Sequence, residues 1–290
     1  LGSNSPRAVP LLQKLLVGEH SDKVKARALF VLSQLDAKSA DEALQTILRQ
    51  KGSAALKEKA LRMIAAGGRS ESLLRLEAVY ESDPSLRRAV IQAWIIGGRK
   101  DLLLRTAKGE NDKKLRASAI RALGALNGRD ELMALYRTFS KEDDRRRVPM
   151  GLGIAGATEE LATVAKNDRS LDVRKAAIRA LGVCSGVAEL RDIAKTGASA
   201  DDRIAAIRAL GVAGGRDAVK YIASLYADES VRAEVVRALG VAGATDELMQ
   251  IYRTETDRKR KRKLLRRLMT MNPDIALDVI EAQTGKEKGR

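Results

Sequence analysis

Val173-Arg174-Lys175-Ala176-Ala177-Ile178-Arg179-Ala180-Leu181-Gly182 is the stretch on which the reading of this chain turns. Its basic anchor, Arg174, has counterparts at Lys25, Lys57, Arg87, Arg116, Arg145, Arg203, Arg232 and Lys261, and from Arg87 onward the step is 29 residues. A fixed period near 30 marks a solenoid, in which each unit buries its apolar face against its neighbours. Val173, Ala177, Ala180 and Leu181 fall at i, i+4, i+7 and i+8, a helical spacing that puts them on one face. Four residues before the anchors stand Ser21, Ser53, Asp83, Asp112, Lys141, Ser170, Ser199, Asp228 and Asp257. All but Lys141 are good N-caps, whose side-chain oxygens take up unpaired backbone N–H groups.

Each such helix is the second of a pair. The first helices are shorter and open with acid, as in Asp130-Glu131-Leu132, Glu159-Glu160-Leu161, Glu189-Leu190 and Asp246-Glu247-Leu248, where carboxylates meet the positive end of the helix dipole. Small turns such as Gly67-Gly68, Gly97-Gly98, Asn127-Gly128 and Gly214-Gly215 separate the helices. The spacing predicts first helices near 40–50, 70–80, 100–108, 130–139, 158–166, 187–195, 216–226, 245–253 and 274–284, with second helices in the intervals before them. The expected architecture is all-α, an α-solenoid of about nine helix pairs over 1–285 in one elongated domain, with a polar tail at 286–290.

Composition agrees with that architecture. Of 290 residues 44% are hydrophobic but only 3% aromatic, so the core is built from Ala, Leu, Ile and Val. The formal charge of +16 makes an anionic partner worth weighing: nucleic acid, an acidic protein or an anionic membrane surface. The single cysteine, Cys184, occupies the position of Ala213 and Ala242 and reads as a small core residue. With one Cys and one His (His20), an intrachain disulfide and a Cys/His zinc site are excluded, and no metal or cofactor is expected. No apolar run approaches the roughly 20 residues of a spanning helix. Leu1-Gly2 matches the Leu181-Gly182 that ends a repeat, which suggests a fragment of a longer protein, although Gly2-Ser3 also fits a cloning scar. A targeting signal could then lie in the flanks; the compartment is unassigned, with the cytoplasm slightly favoured.

The run Asp83-Pro84-Ser85-Leu86-Arg87-Arg88-Ala89 and the repeated Ile-Arg-Ala-Leu-Gly resemble HEAT repeats, specifically the short HEAT-like type also found in phycobilin lyases. The resemblance covers nearly the whole chain. It implies a right-handed superhelix with the second helices lining the concave face. It does not imply one function, because HEAT-like arrays serve as scaffolds, transport receptors, nucleic-acid binders and occasional enzymes.

Two basic columns run through the second helices. For the anchor column the resemblance implies a structural role, tying neighbouring repeats through acidic or backbone partners. Five residues later comes Phe30, Arg62, Gln92, Arg121, Met150, Arg179, Arg208, Arg237 and Arg266, pointing away from the apolar stripe and so exposed. Neighbouring repeats would set these guanidiniums about 10 Å apart. Either they form a linear positive rail or they are a solvated face. The run Arg258-Lys259-Arg260-Lys261-Arg262-Lys263 is the densest charge, readable as an anion-binding end to the rail or as a solvated terminal helix.

The fifth repeat departs from the pattern: Lys141 replaces the cap, Met150 the arginine, and Pro149 with Gly151 and Gly153 interrupts the second helix. On that reading Pro149→Val restores a backbone donor and stabilises the repeat. Trp94 shares the apolar column of Leu123, Leu181 and Leu210 and reads as core, while Tyr136, Tyr226 and Tyr252 read as packing between repeats. Aromatics do not interleave with the arginines, which weakens a single-stranded nucleic-acid reading. No nucleophile–base pair, paired catalytic carboxylates or phosphate loop is legible, so no enzymatic activity is expected. The resulting expectation is a non-catalytic scaffold binding an acidic protein segment. The alternatives are duplex nucleic acid bound through phosphates and, further off, an enzyme such as a phycobilin lyase or a HEAT-like DNA glycosylase.

Overall fold

A computed structural model describes residues 8–274 apart from 36, 50–52 and 69. The Leu1-Gly2 phrase, all but the first residue of the helix expected near 274–284, and the tail at 286–290 lie outside the described residues. Every regular element among the described residues is helical.

The chain divides into two compact units, Leu1–Leu135 and Tyr136–Arg290. The first holds α1 (Ala8–Val17), α2 (Asp22–Leu35), α3 (Ala37–Arg49), α4 (Ala54–Gly67), α5 (Ser70–Ser82), α6 (Arg87–Ile96), α7 (Lys100–Gly109) and α8 (Lys113–Ala125). The division falls inside α9 (Arg129–Thr138). The second unit holds α10 (Glu142–Arg145), α11 (Val148–Ile154), α12 (Thr158–Asn167), α13 (Leu171–Val183), α14 (Val187–Thr196) and α15 (Ala200–Ala213). It continues with α16 (Gly215–Ser224), α17 (Arg232–Val241), α18 (Thr245–Thr254) and α19 (Arg258–Met271). Single 3-10 turns at Pro84–Leu86 and Leu225–Ala227 lead out of α5 and α16.

Within the second unit α11, α13, α15, α17 and α19 pack each against the next, as do α12, α14, α16 and α18, giving two layers of helices in register. The first unit repeats the scheme with α2, α4, α6 and α8 in one layer. Eight of the expected first helices stand where the spacing puts them, from α3 to α18, and α1 is a further one that the sequence reading left out.

The caps explain the boundaries. Asp112 accepts from the Lys114 and Leu115 N–H groups, Ser170 from Val173, Ser199 from Asp202 and Asp257 from Arg260. Ser53 is extended in backbone but makes no side-chain cap bond, and Lys141 makes none. At the other end, Gly68, Gly98, Asn127, Gly156, Ser185, Gly214 and Gly243 have positive φ at matching positions of successive repeats, with Gly215 adding a second beside Gly214, so the chain reverses at the same place each time.

The apolar stripe is wider than predicted. Val173, Ala177 and Leu181 are fully buried, but so is Ile178, while Ala180 is only half-buried. A second helix faces its own first helix and also the second helices before and after it, so more than one narrow face is covered. Backbones approach closely between α13 and α15, where a Cβ on Gly182 would lie 2.8 Å from the Ala209 carbonyl oxygen. Gly211 meets Ala238 in the same way at 2.7 Å. Trp94 fills the core at 1% exposure, its indole N–H donating to the Leu73 carbonyl at 3.0 Å.

The fifth pair needs a correction. Its second helix is broken into α10 and α11, but Pro149 is the second residue of α11 rather than a mid-helix interruption, and it is buried. A backbone donor at that position would have no intrahelical acceptor, so the proline removes nothing the helix uses.

Candidate anion-binding site

The anchor column is built into the fold. Lys57 pairs with Asp83 at 3.3 Å, Arg116 Nε donates to the Glu110 carbonyl at 2.8 Å, and Arg145 Nε to the Asp168 carboxylate at 2.9 Å. Arg174 reaches the Asp202 carboxylate at 3.1 Å and the Asp168 carbonyl at 2.9 Å. Arg232 donates to the carbonyls of Tyr226 and Ala227, and the Lys261 ammonium lies 4.9 Å from the centre of the Tyr252 ring. These side chains join a second helix to the loop before it or to the following repeat, and are spoken for.

Sequence reasoning missed the acceptors. Glu110, Asp168 and Glu255 are buried, stand two residues before their caps, and are separated by multiples of the 29-residue period. Each accepts from the N–H of its cap residue and from a tyrosine hydroxyl: Tyr80 to Glu110, Tyr136 to Asp168 at 2.9 Å, Tyr226 to Glu255 at 2.6 Å. Burial first, and the neighbouring carboxylate second, push the Tyr136 and Tyr226 phenols up to about 12. The Arg260 fork and the Tyr226 hydroxyl hold Glu255 down at about 2. For Glu110 and Asp168, burial works against ionisation but the hydrogen bonds outweigh it, and both stay below the usual carboxylate range. The period itself was the available signal.

The second column is exposed along its whole length, from Phe30 and Arg62 to Arg266. It is not, however, a rail of equivalent free cations. Arg208 and Arg237, from neighbouring repeats, close on one buried carboxylate, Glu234, at 2.9 and 3.1 Å. Arg121 donates to Ser118 Oγ at 3.1 Å, whereas the side chains of Arg62, Arg179 and Arg266 have no partner among the described residues. Beside the column, four residues on, the second unit exposes Ile154, Val183, Val212 and Val241, a file of aliphatics that sequence reasoning also missed.

Charge gathers instead at α17 and α19. A groove of about 600 Å³ lies between them, lined by Arg232, Arg237, Arg260, Lys263, Arg266 and Arg267 around Ala233, Val236 and Leu264, with Glu229 its only carboxylate among the described residues. On α19 Lys263, Arg266 and Arg267 stand at i, i+3 and i+4, which brings all three to one face. Among the described residues their side chains make no hydrogen bond or ion pair. Arg260 is the exception in the basic run: it turns back onto Glu255 with two bonds of 2.9 and 3.1 Å. Arg258, Lys259 and Arg262 belong to α19 but do not line the groove, and neither do Arg121, Arg179 and Arg208. Arg62 lines a separate cavity of about 640 Å³ in the first unit, where it, Arg88 and Lys114 are set against Glu58 and Asp112, so most of the positive charge is offset.

Among the described residues no three His, Cys, Asp or Glu side chains converge to hold a metal, and no helix is long and apolar enough to cross a membrane.

No protein-family model matches the chain, and no curated protein matches it. Among solved structures it is similar to human deoxyhypusine hydroxylase in complex with glycerol, at 17% identity over 95% of this chain and 96% of that one, with a TM-score of 0.29. It is also similar to the complex of CpcE and CpcF of phycocyanin lyase from Nostoc sp. PCC7120, at 17% identity over 81% of this chain and 94% of that one, with a TM-score of 0.35. At these scores neither likeness carries an argument about what this chain does. The expectation of a non-catalytic scaffold with an acidic segment along a basic rail, or duplex nucleic acid in its place, is nonetheless corrected. The continuous rail is interrupted where Arg208 and Arg237 share Glu234.

Proposed function

We propose that the Tyr136–Arg290 unit is an anion-recognition module and that the groove between α17 and α19 takes a compact, multiply charged oxyanion. The reading treats the helix pairs as HEAT-like repeats whose last members carry the binding site. The observation that supports it is the convergence of Lys263, Arg266 and Arg267, all unpartnered, on a groove with six cations and one carboxylate in its lining. Like charges at i, i+4 cost a helix a few tenths of a kcal/mol each. Folding alone therefore favours their replacement, whereas a bound anion would reverse the sign of the interaction. Arg267 is half-buried and so is screened less by salt than an exposed charge, and the groove walls concentrate the field.

Isothermal titration with tripolyphosphate tests the reading. Wild-type protein binds, the Lys263→Ser/Arg266→Ser double variant binds at least tenfold more weakly, and Arg62→Ser binds as wild type. Equal affinity for wild type and the double variant contradicts it.

A further inference from the structure

The second-helix layer of the Tyr136–Arg290 unit is held by a column of small residues. Gly153 lies on Ala180, Gly182 on Ala209 and Gly211 on Ala238, each alanine being the residue after the exposed-column position. The next member of the series pairs Gly240 with residue 267, and there the alanine is replaced by arginine. Arg267 uses the space: its guanidinium lies directly over Gly240, in the volume a Cβ would take. Its Nε is buried and has no hydrogen-bond partner, while the side chain lines the α17–α19 groove. A buried donor without an acceptor is costly, and a closed Gly–Ala contact was available at no such cost.

From this, and resting on the groove reading above, we infer that Arg267 is the groove's fixed anchor and that the oxyanion it takes is phosphoryl. Seating on the Gly240 backbone holds the guanidinium in one place, so its fork is pre-organised, unlike that of an exposed arginine. The neighbouring free cations Lys263 and Arg266 present further donors to the same volume. A carboxylate offers two oxygens and one charge to this set; a phosphoryl group offers three oxygens and close to two charges, which matches three converging cations. Gly240 is thus a positioning residue, acting through Arg267.

Arg267→Ala restores the alanine found in the three preceding contacts, so the variant keeps or raises the thermal midpoint. Its affinity for tripolyphosphate falls at least tenfold. Gly240→Ala keeps the arginine but fills its seat, and it too weakens tripolyphosphate binding several-fold. Tricarballylate, of comparable charge but with carboxylates only, binds wild type at least tenfold more weakly than tripolyphosphate. Affinity within twofold of wild type in either variant, or equal affinity for the two anions, overturns the inference. Failure of wild type to bind either anion is a different result, since it removes the groove reading itself.

Discussion

The Tyr226 hydroxyl donates to the Glu255 carboxylate at 2.6 Å across the 29 residues that separate equivalent positions of neighbouring repeats. The same carboxylate takes both arms of Arg260 and the N–H of Asp257, so one buried anion closes the loop before α19 and ties it to the end of the preceding first helix. Tyr136 with Asp168, and Tyr80 with Glu110, make the same link elsewhere. A hydrogen bond to a charged group contributes about 1.5–3 kcal/mol. The tie is therefore a main element of cohesion between repeats.

Acid stability follows from that tie. Glu255 is held at about 2, below its ordinary 4.5, so its contribution is present in full above about pH 4.5 and is lost as the pH falls toward 2. Glu255→Gln is less stable than wild type at pH 7, and the gap narrows at pH 3. Urea midpoints for both proteins at the two pH values check this; a gap that stays constant contradicts it.

Close approach in the second-helix layer depends on Gly182 and Gly211. Replacing either with Ala improves helix propensity by about 1 kcal/mol, yet it forces a methyl into a neighbouring backbone at a cost of about 1–3 kcal/mol. Packing wins where the contact is backbone, and both variants are expected to be destabilised in urea titrations. A stabilised Gly211→Ala would show that the α15–α17 contact relaxes freely.

Glu234 decides how much of the second column is available. In Glu234→Gln the bonds to Arg208 and Arg237 become neutral-acceptor bonds, and the Arg237 guanidinium gains freedom to meet an anion in the groove. The variant is expected to bind tripolyphosphate a few-fold more tightly in calorimetric titration, with helical content unchanged.

Pro149 stands at the second position of α11, so Pro149→Val gains no helical hydrogen bond. It loses the proline's restriction of the unfolded chain, worth about 0.4–1 kcal/mol. The substitution is expected to lower stability by up to about 1 kcal/mol, opposite in sign to the reading of Pro149 as a mid-helix break, and thermal unfolding of the pair measures it.

The helix pairs were legible because the period holds throughout and caps and turn residues agree with it at most repeats; Asp112, Ser170, Ser199 and Asp257 cap where they were expected to. The structural role of the anchors was legible for the same reason. Arg208 and Arg267 were not, because each side chain's state depends on a residue 26 or 27 positions away in the next or previous second helix, and Arg237, three residues from Glu234 on the same helix, shares that carboxylate with Arg208 only in the fold. Arg208 and Arg237 look alike in sequence to Arg179, and only the fold brings Glu234 between them. Arg267 looks like one more charge in a basic run until the backbone puts Gly240 beneath it.

The most direct measurement is a titration followed through arginine Nε–Hε resonances by two-dimensional NMR, with tripolyphosphate added at low ionic strength. The groove account predicts that the signals of Arg266 and Arg267 shift together and saturate, while those of Arg62 and Arg121 stay in place. Absence of any shift, or small shifts spread evenly over all the arginines without saturation, contradicts it.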